Sequence, residues 1–62
     1  MPEDKFVMGK KYWMRYGDFE YRGMFLGYEG ITECRAAVFE TPAGNYVVLK
    51  ERHITEHNEI TF

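Results

Sequence analysis

Tyr21-Arg22-Gly23-Met24-Phe25-Leu26-Gly27-Tyr28 is too rich in aromatic and aliphatic side chains to be a loop, yet two glycines interrupt it. Rings of this kind fit a pleated sheet. A glycine inside a strand marks a bulge or a sharp bend, the device by which a sheet turns a corner. The stretch therefore reads as the far part of one long, strongly bent strand, from about Phe19 to Tyr28.

The rest of the chain follows the same grammar. No segment keeps apolar residues at helical spacing over three turns, while Gly punctuates at positions 9, 17, 23, 27, 30 and 44. A first strand is predicted at about Lys11 to Tyr16, ended by Gly17-Asp18. After the bent strand, Glu29-Gly30 opens a loop from which Ile31 drops back onto the core. A third strand spans about Glu33 to Thr41. Thr41-Pro42-Ala43-Gly44-Asn45 makes a tight turn, with Pro presetting φ and Gly supplying a positive one. Tyr46 to Lys50 returns from it as a fourth strand. Glu51 to Thr55 reads as one turn of 3₁₀-like connection, and Glu59 to Phe62 as a short closing strand. Residues 1–62 form a single domain, with 1–5 as a loose N-terminal tail.

Five short strands, a bent second strand and a one-turn helix before the last resemble the SH3-like small β-barrel. The residues that carry the likeness are Tyr21 to Tyr28, Ala37-Val38-Phe39, Gly44 to Leu49 and Ile54. The resemblance implies an all-β barrel and nothing firmer, since such barrels host many unrelated functions. The acidic and aromatic loop pattern of proline-recognising SH3 domains is missing, so peptide binding of that kind is not expected. The chain also looks like the tiny standalone barrels found among phage accessory, counter-defence proteins.

Composition narrows the functional classes. A domain of about 60 residues buries only about 60% of its unfolded surface. Here that interior must accommodate five Phe, five Tyr and one Trp. Rings are therefore expected on the outside, where they meet a partner or another copy of the chain. Cys34 is the sole thiol, which excludes an internal disulfide and fits a reducing, cytoplasmic setting. MPEDKF lacks the features of a signal peptide, and no apolar run approaches the roughly 20 residues of a membrane span. The net charge of −2 argues against a duplex nucleic acid, which wants a clustered basic surface.

Alternation along each strand sorts the side chains by face. Tyr12, Met14 and Tyr16 oppose Trp13 and Arg15; Phe19, Tyr21, Gly23 and Phe25 oppose Arg22, Met24, Leu26 and Tyr28; Val47 and Leu49 oppose Tyr46 and Val48. The predicted core is Met14, Phe25, Leu26, Val38, Val47, Leu49 and Ile54. The predicted outer rings are Trp13, Tyr16, Tyr21, Tyr28, Phe39 and Tyr46, mixed with Arg15, Arg22 and Arg35. Tyr, Trp and Arg dominate binding hot spots, and a ring with a guanidinium suits a planar anion.

Catalytic chemistry finds little support. His53 and His57 have helical metal-ligand spacing, with Glu51, Glu56 and Glu59 nearby, but Cys34 is the only thiolate and the segment is a short connection rather than a sustained helix, so no metal and no cofactor is expected. Cys34 lies in an apolar stretch where a small buried thiol is the ordinary outcome. No nucleophile elbow, P-loop or dinucleotide fingerprint occurs. The expectation is a non-enzymatic binding module that sequesters a small anionic, nucleotide-like ligand at an aromatic and Arg surface formed by self-association. Its expected contacts are Trp13, Arg15, Tyr16, Tyr21, Arg22, Tyr28, Arg35, Tyr46 and Arg52. The alternative is an inhibitor or adaptor docking on a host protein, with a nucleic-acid-binding barrel third.

Overall fold

A computed structural model describes residues 5–61 of the chain. Phe62 and most of the expected tail, residues 1–4, lie outside the described residues. Five strands, β1 (Lys11–Tyr16), β2 (Phe19–Glu29), β3 (Ala36–Glu40), β4 (Tyr46–Lys50) and β5 (Ile54–Ile60), form one antiparallel sheet in the order β4-β3-β2-β1-β5. One 3₁₀ turn, Thr32–Cys34, precedes β3 and another, Glu51–His53, precedes β5. The all-β class, the bent second strand and the turn before the last strand are those expected.

β2 is shared between two neighbours. Its first half pairs with β1, its second half with β3, and Met24 faces both Lys11 and Glu40. Gly23 stands at this handover, where a Cβ would lie 2.9 Å from the Phe39 Cβ and 3.0 Å from the Glu40 carbonyl oxygen. Leu26 is then an extra residue between Phe25↔Phe39 and Gly27↔Val38, a bulge completed by Gly27 at φ +143°. Together they roll the sheet. Leu49 from one edge strand and Ile54 from the other accordingly enter one buried cluster with Phe6, Tyr12, Met14, Phe25, Ala37 and Phe39.

Several expectations need correcting. Strict alternation sends Tyr28 outward, but the bulge adds one residue and flips the strand, so Tyr28 packs against the core opposite Ala37. In β3, Ala37 and Phe39 are fully buried while Val38 is half-buried, the reverse of the predicted faces. Both faces of that strand are apolar, and the pairing Phe25↔Phe39 decides between them. Leu26 is likewise half-buried rather than in the core. Ile31, the residue that caps the first 3₁₀ turn, is exposed and does not drop onto the core, and Cys34 is an exposed free thiol because it ends that turn rather than lying in a strand. β5 begins at Ile54, well before the predicted closing strand.

Phe6 was not among the expected core residues, and it is almost fully buried. Its ring lies 4.9 Å from Tyr12, 5.4 Å from Phe25 and 5.1 Å from Phe39. The segment is held by backbone bonds from Gly9 to Phe25 and from Phe25 to Lys10, and the Val7 N–H donates to the Tyr12 hydroxyl at 2.8 Å. A chain this small gains a needed share of its apolar burial from this ring. Among the described residues, no helix is long and apolar enough to cross a membrane.

Candidate functional site

The residues expected to bind a ligand do not converge on one surface. The β1–β2 and β1–β5 registers place Trp13, Arg22 and Asn58 in one outer row and Arg15, Glu20 and Glu56 in the next. There Arg15 donates to Glu56 at 3.1 Å and to Glu20 at 3.3 Å, and the Trp13 indole N–H donates to Glu20 at 3.1 Å. Arg15 also lies over the Trp13 ring, 5.6 Å from its centroid. Two carboxylates already hold this guanidinium, which leaves little of its charge for an anion. These exposed pairs contribute little to stability.

Tyr28 and Arg35 form a second, inward group. Arg35 donates both Nε and Nη2 to the Glu51 carboxylate, at 2.8 and 3.0 Å, and its guanidinium carbon sits 3.7 Å from the Tyr28 ring centroid. Both members of the pair are less than a fifth exposed. Burial acts to raise the Glu51 pKa, but the Arg35 guanidinium, helped by the Tyr28 hydroxyl and the Lys5 charge, outweighs it and the net direction is down. Burial, reinforced by the Glu51 carboxylate, holds the Tyr28 hydroxyl well above the ordinary phenol value. That hydroxyl is enclosed beside Glu51 without a hydrogen bond of good geometry. The cluster ties the second 3₁₀ turn to the start of β3, together with the Glu51 N–H to Arg35 carbonyl bond. The Arg35 guanidinium is thereby engaged within the fold.

A carboxylate whose folded pKa lies below its ordinary 4.5 stabilises the fold fully above that value. The contribution is lost as pH falls through the lower, folded pKa. Glu51→Gln is therefore expected to cost about 2 kcal/mol at neutral pH, the scale of a charge-assisted pair in a partly enclosed site. It should also flatten the fall in stability below pH 4.5. Urea unfolding at pH 7 and at pH 3 checks both, and an equal loss at the two pH values would contradict the assignment.

Tyr46 stands apart from both groups, 68% exposed on the outer side of β4. The remaining expected residues lie at one open end of the roll. Tyr16 and Phe19 face each other across a two-residue turn in which Gly17 alone takes a positive φ, of 63°. This is the Gly-X pattern that suits a tight hairpin. Against the hairpin tip lie Arg52 and His53 of the second 3₁₀ turn and Thr55. Thr55 is the unpaired residue of a bulge between Arg15↔Glu56 and Tyr16↔Ile54. Tyr16, Gly17, Asp18, Phe19, Arg52, His53 and Thr55 enclose a groove of about 500 Å³.

The groove brings aromatic rings, a guanidinium and an imidazole together. Tyr16 packs edge-on to Tyr21 at 6.3 Å and lies 6.1 Å from His53, so its ring is held in place. Phe19 is 66% exposed, an apolar ring at the rim of the groove. Arg52 and Arg22 form no ion pair among the described residues, unlike Arg15 and Arg35. Phe19 and His53 were not expected here. The first was read as a strand start and the second as half of a helical His pair, whereas His57 packs instead on Phe6 at 5.1 Å. Among the described residues, no three of His, Cys, Asp and Glu gather as metal ligands would. No protein-family model matches the chain, and neither do any curated protein sequences or solved structures.

Proposed function

We propose that this chain is a small SH3-like barrel acting as a non-enzymatic binding module, which holds a small anionic, nucleotide-like ligand in the groove between the β1–β2 turn and the second 3₁₀ turn. The observation that carries this reading is Arg52, a cation without a carboxylate partner among the described residues, set beside the exposed ring of Phe19 and the braced ring of Tyr16. A planar group stacks on the rings, and a phosphate takes the guanidinium fork. Asp18 and His53 supply polar contacts at the rim. The residues that line the groove all come from one chain. The exposed Cys34 thiol supports a reducing, cytoplasmic setting of the kind a phage accessory protein would meet.

Calorimetric titration with a panel of nucleoside mono-, di- and triphosphates tests the proposal. Binding is expected, and Phe19→Ala and Arg52→Ala should each weaken it about tenfold or more, the scale of a lost stacking or charge-assisted contact. Arg22→Ala, on the outer face, should leave it unchanged. Absence of heat and of any thermal shift across the panel overturns the reading. A second reading, docking on a host protein, is favoured by the acidic balance of the chain, net −2, with Glu20 and Glu56 on the outer face of the sheet. Retention of a basic protein from lysate together with nucleotide-free chain would select it.

A further inference from the structure

We infer that the free edge of β4 is the site where a second copy of this chain binds, antiparallel and centred on Val48, giving a closed two-fold dimer with one continuous sheet. β4 ends the sheet, and no described strand pairs with its other side. The β3–β4 hairpin fixes which backbone groups face that edge. Hydrogen bonds run from the Thr41 N–H to the Asn45 carbonyl and from the Glu51 N–H to the Arg35 carbonyl. In an antiparallel ladder, hydrogen-bonded and non-hydrogen-bonded pairs alternate. Within the register Glu40↔Tyr46, Phe39↔Val47, Val38↔Val48, Ala37↔Leu49 and Ala36↔Lys50, this alternation turns the N–H and C=O of Tyr46, Val48 and Lys50 outward.

Those residues match a copy of themselves. With Val48 opposite the partner's Val48, Tyr46 stands opposite the partner's Lys50, and Lys50 opposite the partner's Tyr46. Each of these pairs can exchange two backbone hydrogen bonds, so the edge groups of Tyr46, Val48 and Lys50 are all satisfied. The outer-face side chains agree with the backbone. Val48 meets Val48, and each Lys50 lies along a Tyr46 ring rather than against another lysine. Glu40 sits directly behind Tyr46 in the same row. Strands lie about 4.8 Å apart, so the partner's Lys50 reaches over Tyr46 toward that carboxylate.

The edge also lacks the usual protections. β4 contains no Pro, no bulge and a single charge, while Tyr46 is 68% and Val48 52% exposed. A monomer would leave a flat apolar edge open to any strand. A two-fold pairing closes it, since both copies spend the same edge.

Sedimentation over a concentration series tests the inference on the full chain. The expected species is a monomer–dimer equilibrium that stops at two chains. Val48→Asp places like charges on the two-fold axis, and Val48→Pro removes the central donor, so each should weaken dimerisation about tenfold or more. Lys50→Glu should weaken it as well, by turning a carboxylate toward Glu40 of the other copy. Circular dichroism and Trp13 fluorescence confirm that each variant is folded; if Val48→Pro is not, Val48→Asp and Lys50→Glu still decide. A monomer at all concentrations overturns the inference, as does a dimer indifferent to these changes. Assemblies growing beyond two chains would also overturn it, because they point to a head-to-tail contact of β4 with β5.

Discussion

Phe39→Ala is expected to leave this chain largely unfolded at room temperature. Phe39 has no exposed surface and lies 5.1 Å from the Phe6 ring and 5.4 Å from the Phe25 ring. Removing a buried Phe side chain costs about 3–5 kcal/mol, the transfer loss plus the cavity left behind. At roughly 0.05–0.15 kcal/mol per residue, a domain this size holds only about 3–9 kcal/mol in total. The two figures overlap, which decides the outcome. Ile31→Ala, at a position 71% exposed, should change stability by less than about 0.5 kcal/mol. Urea unfolding followed by Trp13 fluorescence measures both. Val38→Ala serves as the check on strand face: if it proves more damaging than Phe39→Ala, the inner and outer faces of β3 have been exchanged.

Gly23→Val should be the second most damaging change, and Gly23→Ala a milder version of it. The atoms in the way are the Cβ of Phe39 at 2.9 Å and the carbonyl oxygen and carbon of Glu40 at 3.0 and 3.3 Å. None of these belongs to the flexible end of a side chain, so β2 and β3 must separate where β2 passes from one neighbour to the next. Forcing extra atoms into such a contact costs about 1–3 kcal/mol, and the branched Val should lie at the upper end or above it. For a domain of this length, 1 kcal/mol moves the melting temperature by about 4–8 °C. Gly23→Ala is then expected to melt roughly 5–15 °C lower. Even Gly at position 39 would remove only the Phe39 Cβ contact, because the Glu40 carbonyl oxygen and carbon remain at 3.0 and 3.3 Å. A thermal melt of Gly23→Ala that matches the parent would mean the strands do not approach as closely as this.

The candidate groove was only partly legible in the chain. Tyr16 and Arg52 were expected among the ligand contacts from residue type alone, and the structure places them together at the groove. Phe19 carried no such signal, since a Phe after Gly-Asp is equally a core residue. Its exposure arises because the hairpin tip extends past the rolled sheet. Arg15 and Arg35 looked as available as Arg52. Their partners, Glu56 and Glu51, are distant in sequence and become neighbours only when β5 returns to β1 and the second 3₁₀ turn meets β3.

Local chemistry determined a good deal. Glycine at a hairpin, Pro and Gly around Thr41–Asn45, and alternation in Lys11–Tyr16 and Tyr46–Lys50 are near-neighbour effects. They identify β1, β4, the burial of Met14 and Leu49 on them, and the bend near Gly27 without reference to the rest of the molecule, although Tyr16, expected outside, packs against the core. The tertiary structure alone decided the face of β3, the inward turn of Tyr28 and the burial of Phe6. A strand with apolar residues on both sides has no preferred face until a partner supplies one, and a single bulged residue reverses every side chain that follows it.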